Sequence, residues 1–341
     1  MLTVALDAMG GDSGLVATVA GAAMASMDAG DLRVVLVGDV VSMSSVLRRH
    51  RYDPTRLTMV HAEGAVAMAD APREALERLP RCSILTAAKL VSEGRADALV
   101  SAGNTGATVL AASMVFQRVP GVRRAALAAV YPTEQRHGPR RDPFALMLDV
   151  GATLNASAEE LAAFAVMGAA YSSIISEIER PKVALLSNGS EPNKGTESIV
   201  GAHRILASSS LNFAGNIEGL DIPRGTVDVV VCDGFLGNVV LKMLEGVSDV
   251  VGDLARQAAG RKLQWRLALA MLSGGLRELK RRTDWKAYGG APLLGFDRVV
   301  IKAHGRSESR AIRNAIKVAG KAARGNLAER IRRGLAQAAL Q

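Results

Sequence analysis

ADALVSAGNTGATVLAASMVF, residues 96–116, decides how the chain is to be read. Its first half is a short run dominated by small and β-branched apolar residues. Its middle, SAGNTGA (101–107), is a glycine turn, and its end, from Thr108, has the continuous apolar character of a buried helix. A strand that runs through a glycine turn straight into a helix is half of a β-α-β unit. The other strand candidates follow the same plan. They are TVALD (3–7), RVVLVG (33–38), LTMVHA (57–62), FALMLDVG (144–151), KVALLSNG (182–189), VDVVVCDG (227–234) and RVVIKAHG (298–305). Several are apolar throughout rather than alternating, which predicts strands buried on both faces of a mostly parallel sheet covered by helices.

Helices fit the gaps. Ser157 followed by Glu160 is a capping box opening a helix over 157–178. Residues 235–258 and 307–322 also read as helical. YPTEQRHGPRRDP (131–143) reads as a loop and GNIEG (215–219) as a short polar turn. No internal repeat or long linker interrupts the chain, which predicts one α/β catalytic unit over 1–341, with two lobes.

Composition narrows the class. Aromatic residues are 4% of a chain that is 49% hydrophobic, so the core is Ala, Val, Leu and Met, with closely packed helices. Two cysteines, Cys82 and Cys232, are too few for a disulfide framework and read as buried filler. The N-terminal MLTVALDAMGGD is a strand and a turn without a basic leader, and no apolar run approaches the roughly 18 residues that span a bilayer. Both features predict a cytoplasmic protein. The net charge of +9 is uneven: residues 251–341 carry 20 Lys+Arg against 6 Asp+Glu. A basic third on an acidic body predicts attraction to an anionic partner. Within it, RKLQWRLALAMLSGGLRELKRR (261–282) reads as a basic amphipathic helix interrupted at Gly274 and Gly275, part of a protruding segment near 253–285. Such a helix suits an anionic membrane surface, acidic carrier protein or a dimer contact. Nucleic acid ranks last, because no recognition motif accompanies the charge.

In open α/β sheets ligands bind beyond the carboxyl ends of the strands, and here those ends carry unusual residues. The first strand ends in DAMGGD, with Asp7, Gly10, Gly11 and Asp12. A later one ends in SAGNTGA, with Ser101, Gly103, Asn104, Thr105 and Gly106. Glycine lets backbone N–H groups approach a ligand, and a following helix N-terminus favours an anion. No dinucleotide or P-loop fingerprint is present. The pattern repeats in SNGSEPNKGTE (187–197), with Glu191, Lys194 and Gly195. It repeats again in CDGFLGNVVLK (232–242), with Asp233, Gly234, Gly237, Asn238 and Lys242. Lysine and asparagine among glycines suit a tetrahedral oxyanion, one through charge and the other through directed hydrogen bonds. Against that stand the bland roles: helix caps for Asp and Asn, and a solvated helix face for Lys242.

Together the runs ALDAMGGD, LVSAGNTGA, DVVVCDGFLGNVVLK and YGGAPLLGFDRVVIKAHGRS resemble the signatures of the bacterial PlsX family, the acyl-ACP:phosphate acyltransferases of phospholipid synthesis. The likeness runs in order from Thr3 to about Glu329. It implies a three-layer α/β/α Rossmann-like sandwich, related to phosphotransacetylases and to the isocitrate/isopropylmalate dehydrogenase-like fold. It also implies transfer of an acyl group from acyl carrier protein to inorganic phosphate, without metal or cofactor. The acyl phosphate product would feed a glycerol-3-phosphate acyltransferase, and the enzyme would be a homodimer, peripheral on the inner face of the membrane. By the same resemblance Lys194 and Asn238 are the catalytic residues, and DAMGGD and SAGNTGA line the same cleft. His304, in KAHGRS, reads as a histidine at a strand end, where it assists proton transfer or orients a neighbouring turn. The chain departs from the family at Ser13-Gly14-Leu15, at RLPRCS (78–83) and at Thr153, where the family has asparagine. The alternatives are a phosphotransacetylase-like enzyme using acyl-CoA, and a catalytically weak membrane scaffold.

Overall fold

The computed structural model describes residues 1–261, 264, 271, 272, 274, 275 and 289–338. Most of the basic segment over 261–282 lies outside the described residues.

The chain begins with β1 (Leu2–Asp7), α1 (Gly14–Ser26), β2 (Leu32–Gly38), α2 (Val40–Leu47), β3 (Leu57–His61), α3 (Pro72–Arg78), α4 (Ser83–Ser92), β4 (Ala98–Ser101) and α5 (Thr105–Val115). It continues through β5 (Ala126–His137), β6 (Asp142–Leu148), α6 (Ala158–Ile175), β7 (Val183–Leu186), α7 (Glu197–Ala207), β8 (Phe213–Ile217), α8 (Asp221–Arg224), β9 (Val229–Val231) and α9 (Gly234–Arg261). After the described residues resume come β10 (Ala291–Leu294), β11 (Val299–Lys302), α10 (Ser309–Arg324) and α11 (Leu327–Gln337). The eleven strands among the described residues form one sheet, in the order β3-β2-β1-β4-β11-β10-β5-β6-β9-β7-β8.

The sheet is mostly parallel, as its apolar strands predict, and the exceptions organise it. β3, β2, β1, β4 and β11 run together. β10 is antiparallel to β11 and to β5, and β5 is antiparallel to β6. Three reversals leave β6, β9, β7 and β8 parallel to one another but opposite in sense to the first five. The molecule therefore has an N-terminal half, built on β1 to β4 and rejoined by the last strand β11, and a following half built on β6 to β9, here called C-terminal, joined to it through β10 and the β5–β6 pair.

Burial on both faces makes the three layers. Val4 and Leu6 of β1 belong to one apolar cluster and Ala5 to the other; Val229 and Val231 of β9 divide from Val230 in the same way. The first cluster is closed by α1, α6, α10 and α11 and the second by α4 and α5, with the inner edge of α9 against it. With so few aromatics, helices pack through small residues: a Cβ on Gly21 of α1 would lie 2.6 Å from Ile312 of α10.

Four readings need correction. Residues 131–143 are not a loop but the two arms and turn of the β5–β6 hairpin, whose strands pair down to His137 and Asp142. GNIEG is not simply a turn, since Gly215, Asn216 and Ile217 close β8. β10, Ala-Pro-Leu-Leu, was not foreseen at all, being four residues long with a proline inside. The expectation of no apolar run of bilayer length also fails for α6, whose 18 residues have a mean hydropathy of 1.2. That helix is 72% buried among the described residues, as a core helix is. Its capping box is present as read: Ser157 accepts from the Glu160 N–H, and Glu160 accepts from the Ser157 N–H.

Candidate active site

The predicted site residues fall into two groups, one at the carboxyl ends of each half of the sheet. In the N-terminal half the turns after β1, β4 and β11 interlock. Gly10 lies so close to Gly103 that a Cβ on it would be 2.6 Å from the Gly103 Cα, so the first turn admits no side chain there, and a Cβ on Gly103 would sit tightly, 3.2 Å from the Ser101 Oγ. Gly11 has φ of 105°, a conformation that favours glycine. The Asp12 N–H donates to the Gly305 carbonyl at 2.8 Å, bringing in the KAHGRS turn. Asn104 is committed to structure: its Oδ1 caps α5 by accepting from the Ala107 N–H at 3.0 Å. Its Nδ2 donates to the carbonyls of Met68 and Asp70. Thr105 and Gly106 form the first turn of α5, and Gly106 packs against Pro72. His304 Nδ1 accepts from the Arg306 N–H at 3.2 Å, a bond that shapes its own turn.

Two charged side chains beneath these turns are buried. Asp7 is 3% exposed and accepts from the Ser101 hydroxyl at 2.7 Å and the Met9 N–H at 3.3 Å. Burial raises its carboxyl above the ordinary value, against hydrogen bonds from Ser83 and Ser101 and the charge of Lys302. Lys302 is 7% exposed, and burial lowers its ammonium to about 8. Sequence reading missed Lys302, because one lysine ending an apolar run looks like a side chain reaching for solvent.

In the C-terminal half the turns after β6, β9 and β7 lie at the same edge, on adjacent parallel strands. Asp149, fully buried, gathers the first. Its carboxylate accepts from the backbone N–H groups of Leu127, Gly151, Ala152 and Thr153 at 2.7–3.1 Å. Burial still pushes its carboxyl up, against those bonds. The α9 N-terminus is pressed onto this turn: a Cβ on Gly237 would be 1.8 Å from the Asp149 carbonyl oxygen, and one on Gly234 2.3 Å from that of Thr153. The Thr153 hydroxyl accepts from the Gly234 N–H at 3.3 Å. It thus serves the start of α9. Asp233 Oδ1 accepts from the Leu236 N–H at 2.9 Å, a capping bond. Asn238, one turn in, is exposed and flanks Gly151.

The turn after β7 presents Lys194. Gly195 has φ of 103° and abuts Ser187 and Ile199, which folds the chain back on itself. The Glu191 carbonyl accepts from the Lys194 N–H at 3.1 Å and from Asn216 Nδ2 at 2.9 Å, tying the turn to β8. The side chains of Glu191 and Lys194 lie over Gly189 and are exposed. Lys242 stands apart from this turn, on an exposed face of α9, paired with Glu245 at 2.7 Å. Both cysteines are buried, and burial raises both thiols, Cys232 well above the usual range.

Comparison with known proteins agrees with the layout. The model of the fatty acid synthesis protein family matches residues 2–330. A phosphate acyltransferase of Pelobacter propionicus is 40% identical over 330 residues, covering 97% of this chain and 93% of its own. One from Dictyoglomus turgidum is 38% identical over 336 residues, covering 98% of each chain. Among solved structures, a phosphotransacetylase from Streptococcus pyogenes superposes with a TM-score of 0.61 at 17% identity, over 94% of each chain. EutD phosphotransacetylase from Staphylococcus aureus gives 0.60 at the same identity and coverage. These two bear out the fold, and the near full-length relatives bear out the PlsX resemblance. A match of this length and identity sets the protein among acyl-transferring enzymes: the chain belongs to the fatty acid synthesis protein family.

Proposed function

We propose that the protein transfers a fatty acyl group from the thioester of acyl carrier protein to inorganic phosphate, releasing acyl phosphate. The observation that carries this reading is the placement of Lys194 in the turn after β7 and of Asn238 in the first turns of α9, which follows β9; β7 and β9 are neighbours in the sheet. A phosphate oxygen attacks the thioester carbonyl carbon, the C–S bond breaks, and the thiol leaves with one proton. Phosphate is substantially dianionic at neutral pH, so a strong general base is not obligatory. Lys194 pairs with phosphate. Asn238 and the first N–H groups of α9 receive the developing oxyanion. The burial of Cys232, with its thiol held protonated, favours direct attack over an acyl-enzyme.

The N-terminal turns complete the cleft in this reading. Their strands run opposite to β6, β9 and β7, yet strands rotate by about 20–25° per step in a twisted sheet. Five steps separate β4 from β9. The accumulated rotation, about 100–125°, swings the two carboxyl edges toward a common cleft rather than leaving them back to back. The continuous sheet supports treating residues 1–341 as one catalytic unit.

A cytoplasmic homodimer, peripheral on an anionic membrane, fits the remaining surface. α9 exposes Phe235, Val239, Met243, Val247, Val250 and Leu254 at helical spacing, an apolar stripe that suits a second copy. Phosphate-dependent release of acyl phosphate, with acyl carrier protein and coenzyme A thioesters compared as donors, tests the function. Release from the coenzyme A thioester alone would replace the carrier donor, and release from neither would leave a scaffold. An acyl-enzyme trapped by mass spectrometry would overturn direct attack.

A further inference from the structure

Asp7, Ser101 and Lys302 are the last residues of β1, β4 and β11. The register pairs Asp7 with Ser101 and Ser101 with Lys302 across these three adjacent parallel strands. Paired residues in neighbouring strands share a face of the sheet. A carboxylate, a hydroxyl and an ammonium therefore stand in one row, 3%, 0% and 7% exposed. The row is tied to both glycine turns. The Ser101 hydroxyl donates to Asp7 Oδ2 at 2.7 Å and accepts from the Gly103 N–H at 3.0 Å. The Met9 N–H donates to Asp7 Oδ1.

The direction of these bonds depends on charge. An ionised Asp7 takes the single hydroxyl hydrogen of Ser101 and leaves its lone pairs for Gly103. A protonated Asp7 offers a hydrogen of its own, competes for those lone pairs, and loosens the hold on Gly103. Burial favours the protonated form. The groups facing Asp7 are Cys82, which precedes α4, Ser83 from α4, Ser101 from β4 and Lys302 from β11, and only Lys302 brings positive charge. Asp12, on the adjoining turn, and Asp7 are the negative groups that act on Lys302, whose Nζ donates to the Ala303 carbonyl.

We propose that Lys302 is a positioning residue of the N-terminal half: its ammonium keeps Asp7 ionised, and the ionised carboxylate sets the Ser101 hydroxyl that anchors the SAGNTG turn. Lys302 need not touch substrate for this. The turn it steadies lies next to the start of α5, so loss of its charge weakens the hold on phosphate. The activity part of the inference rests on the proposed function; the protonation part does not.

Infrared difference spectroscopy of the whole protein separates the two. Lys302→Met is expected to gain a protonated-carboxyl band at neutral pH, absent from wild type and abolished by adding Asp7→Asn. Lys302→Gln keeps a donor for the Ala303 carbonyl and reads the same loss of charge where the methionine variant does not fold. In phosphate kinetics, KM should rise about tenfold, the scale of one lost hydrogen bond, more at low pH than at high, with Lys302→Arg restoring the wild-type profile. A folded, neutral variant without the new band, or with the wild-type pH profile, overturns the proposal. If wild type transfers no acyl group, the band still decides on Lys302, and the fault lies in the functional reading.

Discussion

Each half of the sheet buries one aspartate where a strand meets its turn, and the two are stabilised in different ways. Asp149 is surrounded by four backbone N–H donors from its own turn and from β5. Asp7 has two hydroxyls, those of Ser83 and Ser101, one long backbone contact and a lysine two strands away. A carboxylate wrapped in amides carries its compensation in the fold of the loop itself. One compensated by a distant ammonium depends on that group keeping its proton. The C-terminal half is thus built as a rigid platform, with Lys194 and Asn238 presented outward. The N-terminal half has a charge balance that pH can reach.

The sharpest way to break this contrast is to remove the presented groups. Lys194→Ala and Asn238→Ala should each lower turnover by about 10²–10³, the usual cost of one oxyanion donor. The thermal midpoint should stay near wild type, because both side chains are exposed. Near-normal turnover in both would remove the C-terminal half from catalysis. Next comes the platform. Gly237→Ala would drive a Cβ into the Asp149 carbonyl, and we expect a stability loss of about 3 kcal/mol by chemical denaturation, at the upper end of overpacking. Wild-type stability in that variant would mean that α9 does not sit on the Asp149 turn.

The pH test addresses the other half. Lys302 has its pKa lowered from 10.5 to about 8, so between these values the unfolded chain binds the extra proton. Stability from this group therefore rises as pH climbs from 8 toward 10.5. Lys302→Met should lose that rise, and denaturant midpoints measured across the window should show a flatter profile than wild type. The smallest effect is expected at Lys242. Its exposed pair with Glu245 is worth less than about 0.5 kcal/mol, so Lys242→Ala should leave both stability and turnover unchanged. A large loss of turnover would return Lys242 to the site.

Much of this arrangement was legible from residue order, for reasons that differ from place to place. Strands such as Val183–Leu186 announce themselves because burial on both faces requires an unbroken apolar run. β8 hides because Gly215 and Asn216 look like turn residues, although Asn216 is there to hold the Lys194 turn. The far arm of the β5–β6 hairpin hides because Pro132, Gly138 and a cluster of arginines read as loop punctuation. The glycine turns were readable because each is contiguous. The Asp7–Ser101–Lys302 row was not, because its first two members are 94 residues apart and only the strand register aligns the third. Asp233 and Asn104 show the opposite limit: polar residues at the right place for a ligand turn out to cap helices.

The antiparallel junction has a mechanical consequence. A linker between two lobes can bend at a few dihedral angles, but here β10, β5 and β6 carry the sheet from one half into the other. Any movement of one half against the other must be taken up as a change in twist across those strands and their hydrogen-bonded ladder. The junction then acts as a torsion spring. A ligand that bridges the halves would tighten it, and slowed amide exchange in the middle strands would record substrate binding from within the core.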